Sequence, residues 1–207
     1  MSKQSIIISL PDGTKKEYPR PVKAIDVALD ISEGLARNVL SAKVNGKTVD
    51  ASMSINIDAS LELLTWKDLE GKATLWHSSA HLMAEALESL YPGIKLGIGP
   101  AIDNGFYYDV DFGEIIFDGE QLFLIEEKML ELARQKSEFS RESISKQKAV
   151  KYFEAKGDEY KLELTQNLKD GAITFYTQGN FTDLCKGPHI PHTGFIKAVK
   201  ILNIAGA

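Results

Sequence analysis

Two Asn-Gly pairs, Asn45-Gly46 and Asn104-Gly105, constrain the fold of this chain more than any other feature of its sequence. Asn-Gly is the strongest short-range hairpin signal, because both central positions of a type I′ turn need positive φ. The first pair sits in AKVNGKTVD and the second in KLGIGPAIDNGFYYDVDF, each between runs that read as short strands. Antiparallel pairing is therefore expected near the N-terminus and again in the middle of the chain. Longer stretches with helical apolar spacing lie between and after these hairpins, so the sequence predicts an α+β protein.

In the N-terminal part, SIIIS at 5–9 reads as a strand and PDGT at 11–14 as a turn. A helical pattern covers 21–40, with Ile25, Ala28, Leu29, Leu35 and Leu40 as its apolar positions and a break expected at Gly34. SLELLT at 60–65 closes the segment as a strand. Residues 1–64 hold 8 basic and 8 acidic side chains, leaving 16 of the 24 basic and 21 of the 29 acidic residues to the remainder. The net charge of −5 thus belongs to the second part, and the shift places a boundary near Trp66. Two domains are expected, 1–64 and 65–207.

The second domain opens with a helix over 74–91, buried along Leu82, Met83, Ala86, Leu87 and Leu90 and stopped by Pro92. A longer helix is expected from an N-cap at Asp118 to about Phe139, with Leu122, Ile125, Met129 and Leu132 inward. A shorter one runs from about Ser145 to a stop at Gly157. AITFYT at 172–177 and FIKAVKILNI at 195–204 read as strands of an antiparallel sheet covered by helices.

Composition, 43% hydrophobic and 26% charged, is that of a water-exposed globular protein, and no apolar run approaches the roughly 20 residues that span a bilayer. MSKQSIIISLPDG has no signal-peptide pattern. One cysteine excludes an intramolecular disulfide and suits a reducing, cytoplasmic setting. With a net negative charge, a nucleic-acid ligand must be held by a local patch.

The chemistry-bearing residues are clustered. The single cysteine, Cys185, lies with His189 and His192 in NFTDLCKGPHIPHTG, and the other two histidines, His77 and His81, lie in LWHSSAHLMAEAL. On a helix, His77 and His81 project from one face, as two ligands of one metal ion, two walls of a pocket, or two surface histidines. Ser78 stands where a zinc protease needs its glutamate, so that chemistry is excluded. Gly187-Pro188 keeps the Cys185–His189 stretch out of a regular helix. The four residues have the inventory of a zinc site, and equally of a thiol beside a base. His192 is peripheral.

The N-terminal element order resembles a β-grasp fold of the TGS (ubiquitin-like) type, found in threonyl-tRNA synthetases, certain GTPases and stringent-response enzymes. HSSAH, GIGPAIDNGFYYD, GDEYKLEL and FTDLCKGPHIPHTG, in this order, resemble the editing domain of the bacterial-type threonyl-tRNA synthetase family along most of 65–207. The resemblance implies hydrolysis of serine wrongly esterified to threonine tRNA. One methyl separates serine from threonine, and a difference of that size gives only about 1–3 kcal/mol of discrimination, so a second, hydrolytic sieve is useful.

Carried onto this sequence, the resemblance implies that His77, His81, Cys185 and His189 line a pocket. It also implies roles for Lys161 and Asp183. Lys161 and His77 are then candidates to position and deprotonate a water, Asp183 to receive the substrate ammonium, and Cys185 with His189 to hold the seryl ester. Tyr108 would pack beside the terminal adenosine. No metal is implied for this editing reaction. In related alanine-editing domains, however, the matching positions hold zinc, so a zinc-stabilised binding module on His77, His81, Cys185 and His189 is the alternative. The implied partners are the acceptor end of tRNA(Thr) and the rest of a synthetase, with no membrane. The family's aminoacylation and anticodon-binding domains, and the ATP, magnesium and zinc of its catalytic domain, have no counterpart here. The expectation is an N-terminal, monomeric fragment of a dimeric enzyme, unable to charge tRNA.

Overall fold

The computed structural model of the protein describes residues 5–115 and 119–206. They form two compact units, residues 5–75 with 187–191, and residues 76–115 and 119–186 with 192–206.

The first unit contains β1 (Ser5–Ser9), β2 (Lys15–Pro19), β3 (Val22–Lys23), α1 (Ala24–Ile31), α2 (Glu33–Ala36), β4 (Ser41–Val44), β5 (Lys47–Val49), β6 (Ser54–Ile55) and β7 (Ala59–Leu64). Five strands form one sheet in the order β2-β1-β7-β4-β5, with β1 and β7 parallel and the other neighbours antiparallel. Alternation in SIIIS buries Ile6 and Ile8, which pack with Val27 of α1 and Leu61 of β7. This is the β-grasp arrangement expected. Asn45 and Gly46 have φ of 49° and 80°, the turn their sequence predicts. The helical stretch breaks at Ser32 rather than Gly34. Ser32 is extended and its hydroxyl caps α2 by accepting the Leu35 N–H at 3.0 Å. Leu29, expected on the apolar side, is 57% exposed.

Helix α3 (Leu69–Leu90) begins in the first unit and continues through the second. The second unit adds β8 (Lys95–Leu96), β9 (Ala101–Ile102), β10 (Gly105–Phe106), β11 (Val110–Asp111), α4 (Glu120–Arg134), β12 (Ser140–Ser143), α5 (Lys146–Lys156), α6 (Glu159–Asn167), β13 (Thr174–Gln178), β14 (Phe181–Leu184) and a 3₁₀ turn (Thr193–Phe195). The hairpin expected around Asn104-Gly105 turns instead at Asp103-Asn104, since Gly105 already pairs with Ile102 in β10, and it is split into two short antiparallel pairs, β9–β10 and β8–β11. Strands β12-β13-β14 form an antiparallel sheet. The pairing puts Phe175 opposite Leu184, and these join Phe153 of α5 in an apolar cluster. Tyr176 opposite Asp183, and Gln178 opposite Phe181, occupy the alternate positions and so the other face.

Two expectations for this part need correction. FIKAVKILNI is not a strand, since 197–206 have no regular structure. Its amide at Ile201 donates to the Glu126 carboxylate at 2.7 Å instead of to a ladder. The long helix ends at Arg134 rather than near Phe139. Its expected N-cap, Asp118, lies outside the described residues. Helix α5 starts at Ser145 and stops at Gly157 as expected.

Candidate functional site

Helix α3 buries Leu82, Ala84, Ala86 and Leu87. That orientation carries His81 inward to 3% exposure, while His77, one turn earlier, is partly exposed. The two rings meet edge-on, 4.9 Å between centroids. Burial pushes the His81 imidazole down to about 3, against an upward pull from Asp183. His81 is therefore a neutral imidazole at physiological pH.

The second set of groups comes from the β13–β14 hairpin. Phe181 presents its ring edge-on to His81, 6.0 Å between centroids, and Gln178 donates from Nε2 to the His81 carbonyl at 3.1 Å. Cys185 follows β14 directly. Its N–H donates to Thr174 O at 3.0 Å, and the Thr174 hydroxyl donates back to the Cys185 carbonyl, so the thiol is held by the sheet's edge. His77 Nε2 lies 3.0 Å from Cys185 Sγ. The donor atoms of His77, His81 and Cys185 lie within 4.8 Å of one another.

Beside them is a buried charge pair. Asp158 caps α6 by accepting the Lys161 N–H at 3.0 Å, which fixes Lys161 in the first turn with its side chain inward. Lys161 Nζ lies 2.8 Å from both Oδ1 and Oδ2 of Asp183, with only 4% and 5% of the two side chains exposed. Tyr108 donates its hydroxyl to Asp183 Oδ2 at 2.8 Å, and the Leu184 N–H donates to Oδ1 at 2.7 Å. Burial alone raises the Asp183 carboxyl, but Lys161, His81 and these hydrogen bonds hold it below its ordinary value. Burial, followed by the neighbouring Asp183 charge, drives the Tyr108 phenol well above its ordinary value. An ionised carboxylate offers about four lone-pair sites, and the Asp183 contacts occupy that number.

His189 belongs to the 187–191 segment, which packs with the first unit. It is buried there, and its N–H donates to Asp50 Oδ1 at 2.6 Å. His192 returns to the second unit, with a backbone bridge to Glu138 and its ring 4.7 Å from that of Phe195. The second unit thus gathers His77, His81, Cys185, Lys161, Asp183 and Tyr108.

Sequence reasoning passed over two participants. A Cβ on Gly99 would fall 2.2 Å from Tyr108 Cδ2, so only glycine lets the Tyr108 ring lie against that backbone. The glycine-rich GIGP stretch was its only sequence signal. Gln178 had none, being one glutamine at a strand end.

Soft nitrogen and sulfur donors of this kind fit zinc. Yet two ligands of one tetrahedral zinc stay about 3.5 Å apart at ordinary bond lengths. The 3.0 Å contact of His77 with Cys185 is instead a hydrogen-bond distance. Among the described residues, no helix is long and apolar enough to cross a membrane.

Comparison with known proteins places this geometry in context. Residues 6–65 match the TGS domain, and 173–206 match the family described as Threonyl and Alanyl tRNA synthetase second additional domain. The protein thus couples a TGS domain to a tRNA synthetase additional domain. The chain is a homologue of threonine–tRNA ligases. It is 62% identical over 202 residues to that of Cytophaga hutchinsonii, 56% over 202 to that of Parabacteroides distasonis and 55% over 203 to that of Porphyromonas gingivalis. Each alignment covers 98% of this chain and 31% of the relative, so the chain spans about a third of the length of these relatives.

Proposed function

We propose that residues 65–207 form an editing domain that hydrolyses the seryl ester of tRNA(Thr), with the acceptor end of that tRNA and the rest of a synthetase as partners and the cytoplasm as compartment. One observation carries the reading. A neutral histidine, a His77–Cys185 contact and a buried Lys161–Asp183–Tyr108 cluster converge in one unit of a threonine–tRNA ligase homologue.

The ester between serine and the terminal ribose is already activated, so a placed water and a polarised carbonyl suffice. His77 takes a proton as the water oxygen adds to the carbonyl carbon. The ribose oxygen then leaves and takes that proton back. Lys161, 2.8 Å from Asp183, suits the negative charge that develops on the carbonyl oxygen. Cys185, and His189 four residues later, contact the serine side chain and ester, and threonine is rejected by its extra methyl. For Asp183 to meet the substrate ammonium, one present contact must give way, and the Tyr108 hydroxyl is the neutral side-chain one. The Tyr108 ring then packs on the terminal adenosine.

The scheme requires no metal for hydrolysis. Release of serine from seryl-tRNA(Thr) by the purified chain, with threonyl-tRNA(Thr) spared, tests the reading. Equal rates on both esters, or none on either, would sink it. The three convergent nitrogen and sulfur donors favour a second reading, a zinc-stabilised binding module that also uses His189. Stoichiometric zinc whose removal unfolds the chain supports that one.

A further inference from the structure

Glu85 is a buried acid to which the hydrolytic scheme gives no part. It lies one turn beyond His81 on the inward side of α3 and is 6% exposed. Its Oε2 is shielded from water and forms no well-made hydrogen bond, a cost that an apolar side chain there would not carry. Packing alone therefore does not account for a glutamate at this position. What the carboxylate does touch is the turn between β13 and β14. Gln178 pairs with Phe181, which leaves Gly179 and Asn180 as a two-residue loop. The Asn180 N–H donates to Glu85 Oε1 at 3.2 Å. Gly179 has φ of 51°, and a Cβ on it would fall 2.2 Å from the same oxygen. Glycine is needed there twice, for the turn and for the approach of the carboxylate. Gln178, just before it, donates from Nε2 to the His81 carbonyl at 3.1 Å. Consecutive residues of this loop thus rest on the one turn of α3 that runs from His81 to Glu85.

We infer that Glu85 is a positioning residue of the candidate site: by holding the β13–β14 loop it sets how β14 stands against α3. Helix α3 carries His77 and His81, while the strand that leaves the loop carries Asp183 and leads into Cys185. The 3.0 Å approach of His77 to Cys185 and the edge-on contact of Phe181 with His81 both depend on that spacing. Glu85 touches none of these side chains in the scheme and acts on them only through the hairpin. The consequence for hydrolysis rests on the proposed editing function, whereas the clamp itself does not.

The test compares Glu85→Gln, which keeps an oxygen for the Asn180 N–H, with Glu85→Leu, which fills the space without an acceptor. Nuclear magnetic resonance of the full chain gives two readouts, hydrogen exchange at the Asn180 amide and the Overhauser contact between the Phe181 and His81 rings. Glu85→Leu should speed that exchange roughly tenfold and weaken the ring contact, and Glu85→Gln should keep both as in the parent. In single-turnover deacylation of seryl-tRNA, Glu85→Leu should lower the maximal rate by about 10- to 100-fold, the scale of a small misplacement of reacting groups. The protein concentration giving half the maximal rate should not change, and Glu85→Gln should restore the rate. A general loss of structure would move both quantities. Equal Asn180 exchange in the parent and Glu85→Leu, or a Glu85→Gln chain as disturbed as Glu85→Leu, overturns the assignment. If Glu85→Leu fails to fold, the other two chains decide: slow Asn180 exchange in both supports the clamp, and exchange at the rate of an unstructured amide in the parent overturns it. Because the spectra need no substrate, a chain inactive on seryl esters would count against the editing function without touching the clamp.

Discussion

Asp50 accepts the backbone N–H of His189 at 2.6 Å, joining positions 139 residues apart within one compact unit. Both groups are buried. Asp50→Ala leaves that amide without its acceptor and should cost about 1–3 kcal/mol, while Asp50→Asn, which keeps an acceptor oxygen, should cost less. Denaturant unfolding of the three chains gives the comparison. A chain shortened to 66–207 loses Asp50 as well, so the His189 amide should exchange with solvent far faster in it. Unchanged protection there would contradict this role for Asp50.

The Lys161–Asp183 pair predicts a pH signature. The folded Asp183 value lies below 3.8, so the pair's contribution is fully present above about pH 4 and drains away as pH falls through the folded value. Acid unfolding of the parent should therefore be steeper than that of Lys161→Met/Asp183→Asn, from which both charges are gone. Removing one partner alone should be worse than removing both, by a few kcal/mol of the 3–5 kcal/mol scale typical of a broken buried pair. Thermal melts between pH 3 and pH 7 measure both effects.

Kinetics separate a water nucleophile from a thiol. Lys161→Ala and His77→Ala should each lower the single-turnover rate on seryl-tRNA by roughly 10²- to 10⁴-fold, with the double variant short of additive. Cys185→Ala should keep measurable hydrolysis and show no covalent intermediate, and chelators should leave the parent rate unchanged. A dead Cys185→Ala beside a fully active Lys161→Ala points to acylation of the thiol instead.

Gly99→Ala tests the seat of Tyr108. The new methyl meets the ring at 2.2 Å, so ring or backbone must shift, at about 1–3 kcal/mol for an overpacked site. The hydroxyl at Asp183 should be displaced with it. A lost tyrosine near-ultraviolet signal and slower deacylation are expected, and a variant with the parent's melting point and spectrum removes the steric argument.

Which parts of this architecture could be read from the sequence follows from how local their causes are. The Asn45-Gly46 turn, the Ser145 start and the Gly157 stop depend on a few adjacent residues, and the structure has them where expected. Helix α6 escaped notice because EYKLEL alternates like a strand. Tyr160 and Leu164 are in fact 46% and 39% exposed, and the Asp158 cap prevailed over the alternation. FIKAVKILNI failed in the opposite way, since its strand-like spacing met a glutamate from α4 rather than a neighbouring strand. The gathering of His77, His81 and Cys185 was legible through motif resemblance, because their spacing alone left three readings open. Gln178 and Asp50 act through long-range contacts that leave no local pattern.

The strict alternation along β14 limits how this part of the chain can change in length. Phe181 and Asp183 face one way, Thr182 and Leu184 the other. Inserting or deleting one residue between Phe181 and Asp183 would turn the Asp183 carboxylate into the apolar cluster around Phe153 and send Leu184 toward Lys161. Substitutions here disturb one contact at a time, whereas a change of one codon in length inverts the whole arrangement. Variants of this strand should therefore differ in side chains and not in residue number.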